Sequence, residues 1–109
     1  MSQIIKEIKR KIINNDNVLL VFLDEENYEL FHNNDSLKSF IKEQLLLVMT
    51  EFQLQSFNIV SISIDLDKSN IIKYLSGFDS FPCAITFEDE ELKQVIPLLS
   101  DLTMFNSPS

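Results

Sequence analysis

The sequence predicts an α/β fold: a four-stranded mixed sheet, made of two parallel strands and a C-terminal antiparallel hairpin, flanked by about four helices. One observation is the run Val18–Leu23, six consecutive apolar residues that are too few for a buried helix and typical of a strand covered on both faces. The other is that apolar strands alternate along the chain with segments of helical periodicity. Chains with this alternation bury their apolar surface by packing helices on both faces of a sheet.

The first helix is predicted over residues 2–14, before the central strand. Apolar residues recur there at helical spacing, with Lys, Arg and Glu on the opposite face: Ile4, Ile5, Ile8, Ile12 and Ile13. The Asn and Asp residues of 14–17 end this helix. The segment Asp24–Asp35 after the strand is polar, and we predict a loop there.

The second helix is predicted to begin at Asp35 or Ser36, which supply a capping side chain, and to run to about Gln53. The strand Phe57–Leu66 follows it. Apolar side chains alternate between the two faces of this strand, with Val60, Ile62 and Ile64 on one face and Ile59, Ser61 and Ser63 on the other. Two strands joined through a helix are expected to be parallel, with a right-handed crossover.

The remaining elements are a short helix, a hairpin and a last helix. The short helix is predicted over 67–75 and ends near Gly77. Phe81–Phe87 and Leu92–Ile96 are strands joined by the turn 88–91, a link short enough to make them antiparallel. The last helix starts with Pro97 and is patterned by Leu98, Leu99, Leu102 and Phe105. We expect a single domain over 1–109, with an ordered core of about 2–105 and a frayed tail at 106–109.

Composition and charge exclude several classes of function. A net charge of −8, with 9 basic against 17 acidic residues, argues against nucleic-acid binding. A single glycine excludes the dinucleotide-binding and phosphate-binding loops, and one histidine with one cysteine cannot form a structural zinc site. We therefore expect no cofactor. No apolar run reaches the length of a membrane span, and a lone cysteine indicates a reducing, cytoplasmic setting.

Two stretches of the sequence resemble parts of thioredoxins: VLLVFLDEE at residues 18–26 and KYLSGFDSFPCAITFEDEELKQV at residues 73–95. In that superfamily an acidic residue follows the first central strand. A tyrosine-bearing helix later leads to a cis-proline, an apolar strand, a charged turn and a final hairpin strand. The resemblance covers roughly residues 2–105, and it implies a thioredoxin-like fold in which Pro82 is the cis-proline.

The chain departs from thioredoxins where they carry Cys-x-x-Cys, because it has Asn27-Tyr28-Glu29-Leu30 at that place. Thiol exchange requires a thiolate nucleophile and a resolving thiol. The only cysteine of the chain lies elsewhere, so dithiol oxidoreductase activity is excluded. The resemblance is therefore to a redox-inactive member of the superfamily.

A partner-binding groove is predicted beside Pro82. The cis geometry that the resemblance implies would leave the backbone of Phe81 free to pair with an extended peptide. Apolar side chains and an acidic rim are expected to form the groove: Tyr28, Leu30, Phe31, Phe78, Phe81, Pro82, Asp24, Glu25 and Glu26. Such a surface suits a protein partner with an apolar and basic segment. The alternative is that these rings cap the core.

Three other groups of residues are weaker candidates for a site. Cys83 is either a small core residue or a redox thiol, and no basic residue within eight positions lowers the pKa of its side chain. His32, in the expected loop, is predicted to be a solvated residue. Five carboxylates are expected at the carboxyl ends of the parallel strands: Asp24, Glu25, Glu26, Asp65 and Asp67. They form either a solvated acidic rim or a site for Mg²⁺ or Ca²⁺.

The expected function is a non-catalytic thioredoxin-like interaction module, acting as an adaptor, an assembly chaperone or a regulator. Two alternatives remain at this point. One is a single-thiol redox protein or sensor that uses Cys83. The other is a structural subunit that self-associates, as a homodimer for example, through the first helix or a sheet edge.

Overall fold

The computed structural model describes residues 3–33, 35–64, 70–77 and 81–99, and these contain five helices and four strands. The helices are α1 (Gln3–Asn14), α2 (Glu25–Asn33), α3 (Asp35–Leu45), α4 (Glu51–Gln55) and α5 (Asn70–Ser76). The strands are β1 (Asn17–Leu23), β2 (Asn58–Ser63), β3 (Cys83–Glu88) and β4 (Glu91–Pro97).

The four strands form one mixed sheet in the order β2-β1-β3-β4. β1 pairs in parallel with β2, with Leu19 opposite Ile59 and Leu23 opposite Ser63, as predicted for strands joined through helices. β1 pairs antiparallel with β3, and β3 pairs antiparallel with β4. The predicted α/β class and the four-stranded mixed sheet, with one parallel pair and a C-terminal antiparallel hairpin, are thereby confirmed.

Helices cover both faces of the sheet, which buries the central strand from Val18 to Leu23. On the first face, α1 and α5 contribute to a core of Ile8, Ile12, Val18, Leu20, Phe22, Ile64, Ile71, Ile72, Cys83, Ile85 and Phe87. On the second face, α3 and α4 contribute to a core of Leu19, Val21, Leu23, Leu37, Phe40, Ile41, Leu45, Leu54, Ala84, Ile96 and Leu98. Because β1 supplies alternate residues to the two cores, every residue of Val18–Leu23 has to be apolar.

The prediction of a loop over Asp24–Asp35 is wrong, because residues 25–33 form helix α2. The Oδ1 atom of Asp24 accepts a hydrogen bond of 2.8 Å from the backbone N–H of Asn27, which caps the helix. Glu25 and Glu26 follow in the first turn, where the helix dipole favours negative charge. No residue of α2 is fully buried, so the apolar stripe that identifies a helix in a sequence is weak here.

The helix predicted to reach Gln53 is also wrong in its extent. α3 ends at Leu45, and a turn leads to the separate helix α4. Thr50 and Gln53 form a capping box: Thr50 Oγ1 accepts a hydrogen bond of 3.1 Å from the Gln53 N–H, and Gln53 Oε1 accepts one of 2.8 Å from the Thr50 N–H. The pair of bonds starts a new helix where the apolar periodicity alone suggested a continuous one.

The start of the predicted last helix is wrong too, because Pro97 is the final residue of β4. β4 is an edge strand, where proline is tolerated. Leu98 and Leu99 follow it outside any helix. The rest of that predicted helix, the tail at 106–109 and residues 67–69 of the predicted short helix lie outside the described residues.

The β3–β4 hairpin turns through Asp89 and Glu90, both with positive φ, at 51° and 68°. This backbone conformation suits the twist of a two-residue hairpin, but it favours Gly or Asn over side chains such as Glu. The Asp89 N–H donates a hydrogen bond of 2.7 Å to the Asp16 C=O, which ties the turn to the start of β1.

Candidate functional site

The Phe81–Pro82 peptide bond is cis, and it lies directly before β3. The Pro82 C=O accepts a hydrogen bond of 3.0 Å from the Leu98 N–H, which fixes this backbone to the chain after β4. Cys83, the next residue, pairs with Phe22 of β1. The register therefore places Phe81 and Pro82 beside the carboxyl end of β1, where α2 begins.

The first turn of α2 is acidic and carries no thiol. Asp24 Oδ1 is held by both the backbone N–H and the side-chain amide of Asn27, at 2.8 and 2.9 Å. Glu25 and Glu26 are exposed. A dithiol motif is absent from the chain because Cys83 is its only cysteine.

The apolar residues predicted to form one groove lie on different faces of the sheet. Tyr28 and Phe31 pack against the core of the second face, and both are half-buried. Phe81 packs against the core of the first face, and Pro82 beside it is also half-buried. Leu30 is 37% exposed on α2. Phe78 lies outside the described residues.

Cys83 is fully buried in the core of the first face. Burial removes water from the thiol, disfavours the charged thiolate and raises the pKa of Cys83 to about 12. At neutral pH the side chain is therefore a protonated, inaccessible thiol. In this state it has neither the nucleophilicity nor the access that thiol exchange requires.

His32 lies on α2 and not in a loop, and it contacts the neighbouring strand β2. Its Nε2 atom is 2.8 Å from the Ser61 Oγ atom. The ring also stacks edge-on against Tyr28 at 4.6 Å between centroids and against Phe31 at 5.8 Å. The histidine thus helps to hold α2 against β2, a role that sequence reasoning missed because the helix itself was missed.

A groove of about 330 Å³ runs along the open side of β2, between α1 and α2, and we call it the edge groove. Its lining combines apolar residues of α1 with residues of β2 and one tyrosine: Ile4, Glu7, Ile8, Lys11, Tyr28, Val60, Ser61, Ile62 and Ser63. α1 is a basic element of an acidic chain, with four basic side chains against one acidic.

A second groove of about 450 Å³ lies on the second face, between α2, α3, α4 and the start of β2. We call it the apolar groove, and its lining is Phe31, Lys38, Ile41, Lys42, Glu51, Leu54, Gln55, Phe57 and Ile59. The Lys38 Nζ atom lies 5.9 Å from the centroid of the Phe31 ring. The Lys42 Nζ atom is 3.8 Å from Glu51 Oε1, and both side chains are solvated.

The acidic residues considered for a metal site do not form one in the part of the chain that the structure describes, where no group of three His, Cys, Asp or Glu side chains could hold an ion. Asp65 and Asp67 lie outside that part. Within the same described residues, none of the helices has the length and apolar composition needed to cross a bilayer.

Among solved structures, the oxidised thioredoxin from Plasmodium falciparum, determined in solution, is similar to this chain at 14% sequence identity and a TM-score of 0.49. The similarity covers 96% of this chain and 86% of that one. No family model matches the sequence, and no curated protein matches it either. The fold described above rests on the strand order and register of this chain.

Proposed function

We propose that the protein is a non-catalytic, thioredoxin-like interaction module, an adaptor, assembly chaperone or regulator that binds a segment of a partner protein. The observation that carries the proposal is the state of Cys83, the only cysteine, which is buried with a raised pKa. A module with this connectivity but no reactive thiol retains its surface as the means of acting on other proteins. We place it in a reducing, cytoplasmic compartment.

The partner surface in this proposal is the edge where Pro82 meets the start of α2. Its apolar part has two portions, Tyr28 and Leu30 on α2 and Phe81 on the first face, so a bound segment would cross the end of the sheet. Exposed Glu25 and Glu26 form an acidic rim. An apolar segment that carries basic residues complements both parts. Such a partner gains affinity from the apolar contacts and a faster approach from the opposite charge.

A single-thiol redox role for Cys83 is disfavoured by the same observation. A redox thiol needs a depressed pKa and access to solvent, whereas the pKa of Cys83 is raised and its side chain is buried. A test of catalysis is direct: the protein is expected to leave the rate of insulin disulfide reduction by dithiothreitol unchanged. A rate that rises with the concentration of the protein, and is lost in Cys83→Ala, would show a thiol enzyme.

Site-specific photo-crosslinking in the cell tests the binding proposal. A benzophenone amino acid is placed at Leu30 on the proposed surface, and, as a matched control, at Leu47, an exposed leucine 84% accessible on the turn after α3. We expect a discrete adduct from position 30, identifiable by mass spectrometry, and none from position 47. The identified partner segment is then titrated into ¹⁵N-labelled protein. Amide shifts confined to α1, α3, α4 and α5, with none at 24–31 or 81–83, would refute the proposal.

A further inference from the structure

The strand β2 has an open outer edge, since no strand pairs with that side of it within the described residues. The Ile64 N–H donates a hydrogen bond of 2.9 Å to the Leu23 C=O, so the even-numbered residues here direct their backbone groups toward β1. The N–H and C=O groups of Ile59, Ser61 and Ser63 therefore point away from the sheet. Such a row of backbone groups is a template for another strand.

The two edges of the sheet differ in their protection against strand pairing. β4, at the far edge, contains an exposed lysine, Lys93, and ends with Pro97, and both residue types discourage the addition of a strand. β2 reads NIVSIS, with neither a charge nor a proline. β2, the edge strand without a charged residue or a proline, is also the strand beside both grooves.

The two grooves lie on opposite sides of β2. The edge groove extends toward the first face, over Ile8 and Val60. The apolar groove extends over the second face, beside Phe31, and reaches Ile59, which is 45% exposed. Side chains of a strand alternate between the faces of its sheet, so a strand added to β2 would place one set in each groove.

The charges beside the two grooves favour an acidic occupant. Lys11 lines the edge groove and Lys38 the apolar groove, and neither has a carboxylate within 4 Å in the part of the chain that is described. The acids that share these linings are Glu7 and Glu51, and Glu51 already pairs with Lys42. Glu7 offsets Lys11 within the edge groove itself, but α1 as a whole has four basic side chains against one acidic. The apolar groove has Lys38 and Lys42 against Glu51, so positive charge is in surplus on each side of the edge strand.

We infer that the outer edge of β2 binds an extended segment of another protein by strand addition, and that this segment has apolar residues at alternating positions and acidic residues beside Lys11 and Lys38. Tyr28 borders both this surface and the edge at Pro82, but the backbone of β2 takes no part in the proposed function, so this inference does not depend on it. Main-chain hydrogen bonds supply affinity, and the two grooves supply selectivity.

A second copy of this chain fits the edge less well. Antiparallel pairing of two β2 strands about a two-fold axis places both copies of α1 on the same face, next to each other. The basic face of α1 has four exposed cations: Lys6, Lys9, Arg10 and Lys11. Like charges brought together in this way oppose the contact, whereas an acidic segment relieves it.

The probe for the first test is a phage-displayed library of random linear ten-residue peptides, selected against the full chain. We expect the selected peptides to alternate apolar residues and to be enriched in Asp and Glu. Binding is expected to slow hydrogen exchange at the amides of Ile59, Ser61 and Ser63, which point outward, with little change at Val60 and Ile62, which already pair with β1.

Two further measurements separate strand addition from other modes of binding. N-methylation of alternate amides in a selected peptide is expected to weaken binding roughly tenfold per ladder hydrogen bond lost, and methylation of the intervening amides is not. Ile59→Lys places a charge on the edge and is expected to abolish selection by the library. Leu47→Lys, the same change at an exposed leucine outside both grooves, is expected to leave peptide binding intact.

Each contrary result overturns the inference. Selected peptides that bind Ile59→Lys as well as the unmodified chain, or a selection that yields no binding peptide, would show that β2 accepts no strand. Amide shifts of the ¹⁵N-labelled protein that are limited to residues 24–31 and 81–83 would show that the peptide binds at the edge beside Pro82. That result would support the proposed function and not strand addition. A dimer in light scattering that Ile59→Lys dissociates would replace the foreign segment with a second copy.

Discussion

The His32 Nε2 atom lies 2.8 Å from the Ser61 Oγ atom, so a hydrogen bond joins helix α2 to the edge strand β2. Because both side chains are accessible to water, we expect a modest coupling of about 0.5–1 kcal/mol between His32→Ala and Ser61→Ala in a double-mutant cycle. Urea denaturation measures the free energies of unfolding. For the distant pair His32→Ala and Glu90→Ala, the changes in the free energy of unfolding should be additive. Equal coupling energies in the two cycles would contradict this role of the hydrogen bond.

Burial of Cys83 predicts a thiol that is silent in the native protein. With a pKa of about 12, its thiolate fraction near pH 7.5 is about a thousandfold lower than that of an ordinary thiol. We expect Ellman's reagent to react with the native protein at least about a thousandfold more slowly than with glutathione. After unfolding in guanidinium, the reaction should be complete. Cys83→Ala supplies the blank. Reaction of the native protein at the rate of a free thiol would refute the buried state.

The same pKa predicts how stability depends on pH. Cys83 keeps its proton up to about pH 12 when folded, whereas in the unfolded chain the group loses it near its reference value of 9.0. The unfolded state therefore binds fewer protons between these values, and stability falls as pH rises, by about 1.4 kcal/mol per pH unit. Below pH 9 both states are protonated and the effect vanishes. In Cys83→Ala this additional loss should be absent.

Thr50 starts α4 through its capping box, and Thr50→Ala is expected to cost about 1 kcal/mol of stability. The substitution removes the side-chain oxygen that accepts a hydrogen bond from the Gln53 N–H. It also weakens the reciprocal hydrogen bond from the Thr50 N–H to Gln53 Oε1. Chemical denaturation gives the change. Ser39→Ala, an exposed position inside α3, is the control and should lie within about 0.5 kcal/mol of the parent.

Glu90 has a φ of 68°, so Glu90→Gly is expected to stabilise the protein by about 1 kcal/mol. Glycine adopts the left-handed region without the steric cost that a side chain carries there. The control is Glu91→Gly, the same substitution one residue later, inside β4, where it should destabilise by about 0.5–1 kcal/mol. Melting temperatures that shift in the same direction for both variants would contradict the conformational explanation.

The sheet could be predicted from the sequence because its strands have strong local signals. The run Val18–Leu23 is apolar throughout because β1 supplies both cores, and the brevity of the link at 89–90 requires a hairpin. The alternation along β2 gave the correct faces for Val60 and Ile62, which pack on the first-face core, as predicted.

The helices of the second face were harder to predict, and with them the surroundings of the candidate site. α2 buries no residue completely, so only Asp24 as a cap and the acidic first turn marked it. The break before α4 depends on the pair Thr50 and Gln53, whose spacing is a recognised signature hidden within an apolar stripe. The positions of Tyr28 and Phe81 on opposite faces follow from tertiary packing, which no local pattern encodes.

The burial of every residue from Val18 to Leu23 in β1 has a consequence for how the strands of the sheet align. Sliding β1 by one residue would exchange Val18, Leu20 and Phe22 for Leu19, Val21 and Leu23, and both cores would still be filled by apolar side chains. The central strand therefore carries little information about register. That information lies in β2, where aliphatic residues and serines alternate, so the least buried parallel strand specifies how the most buried one is aligned.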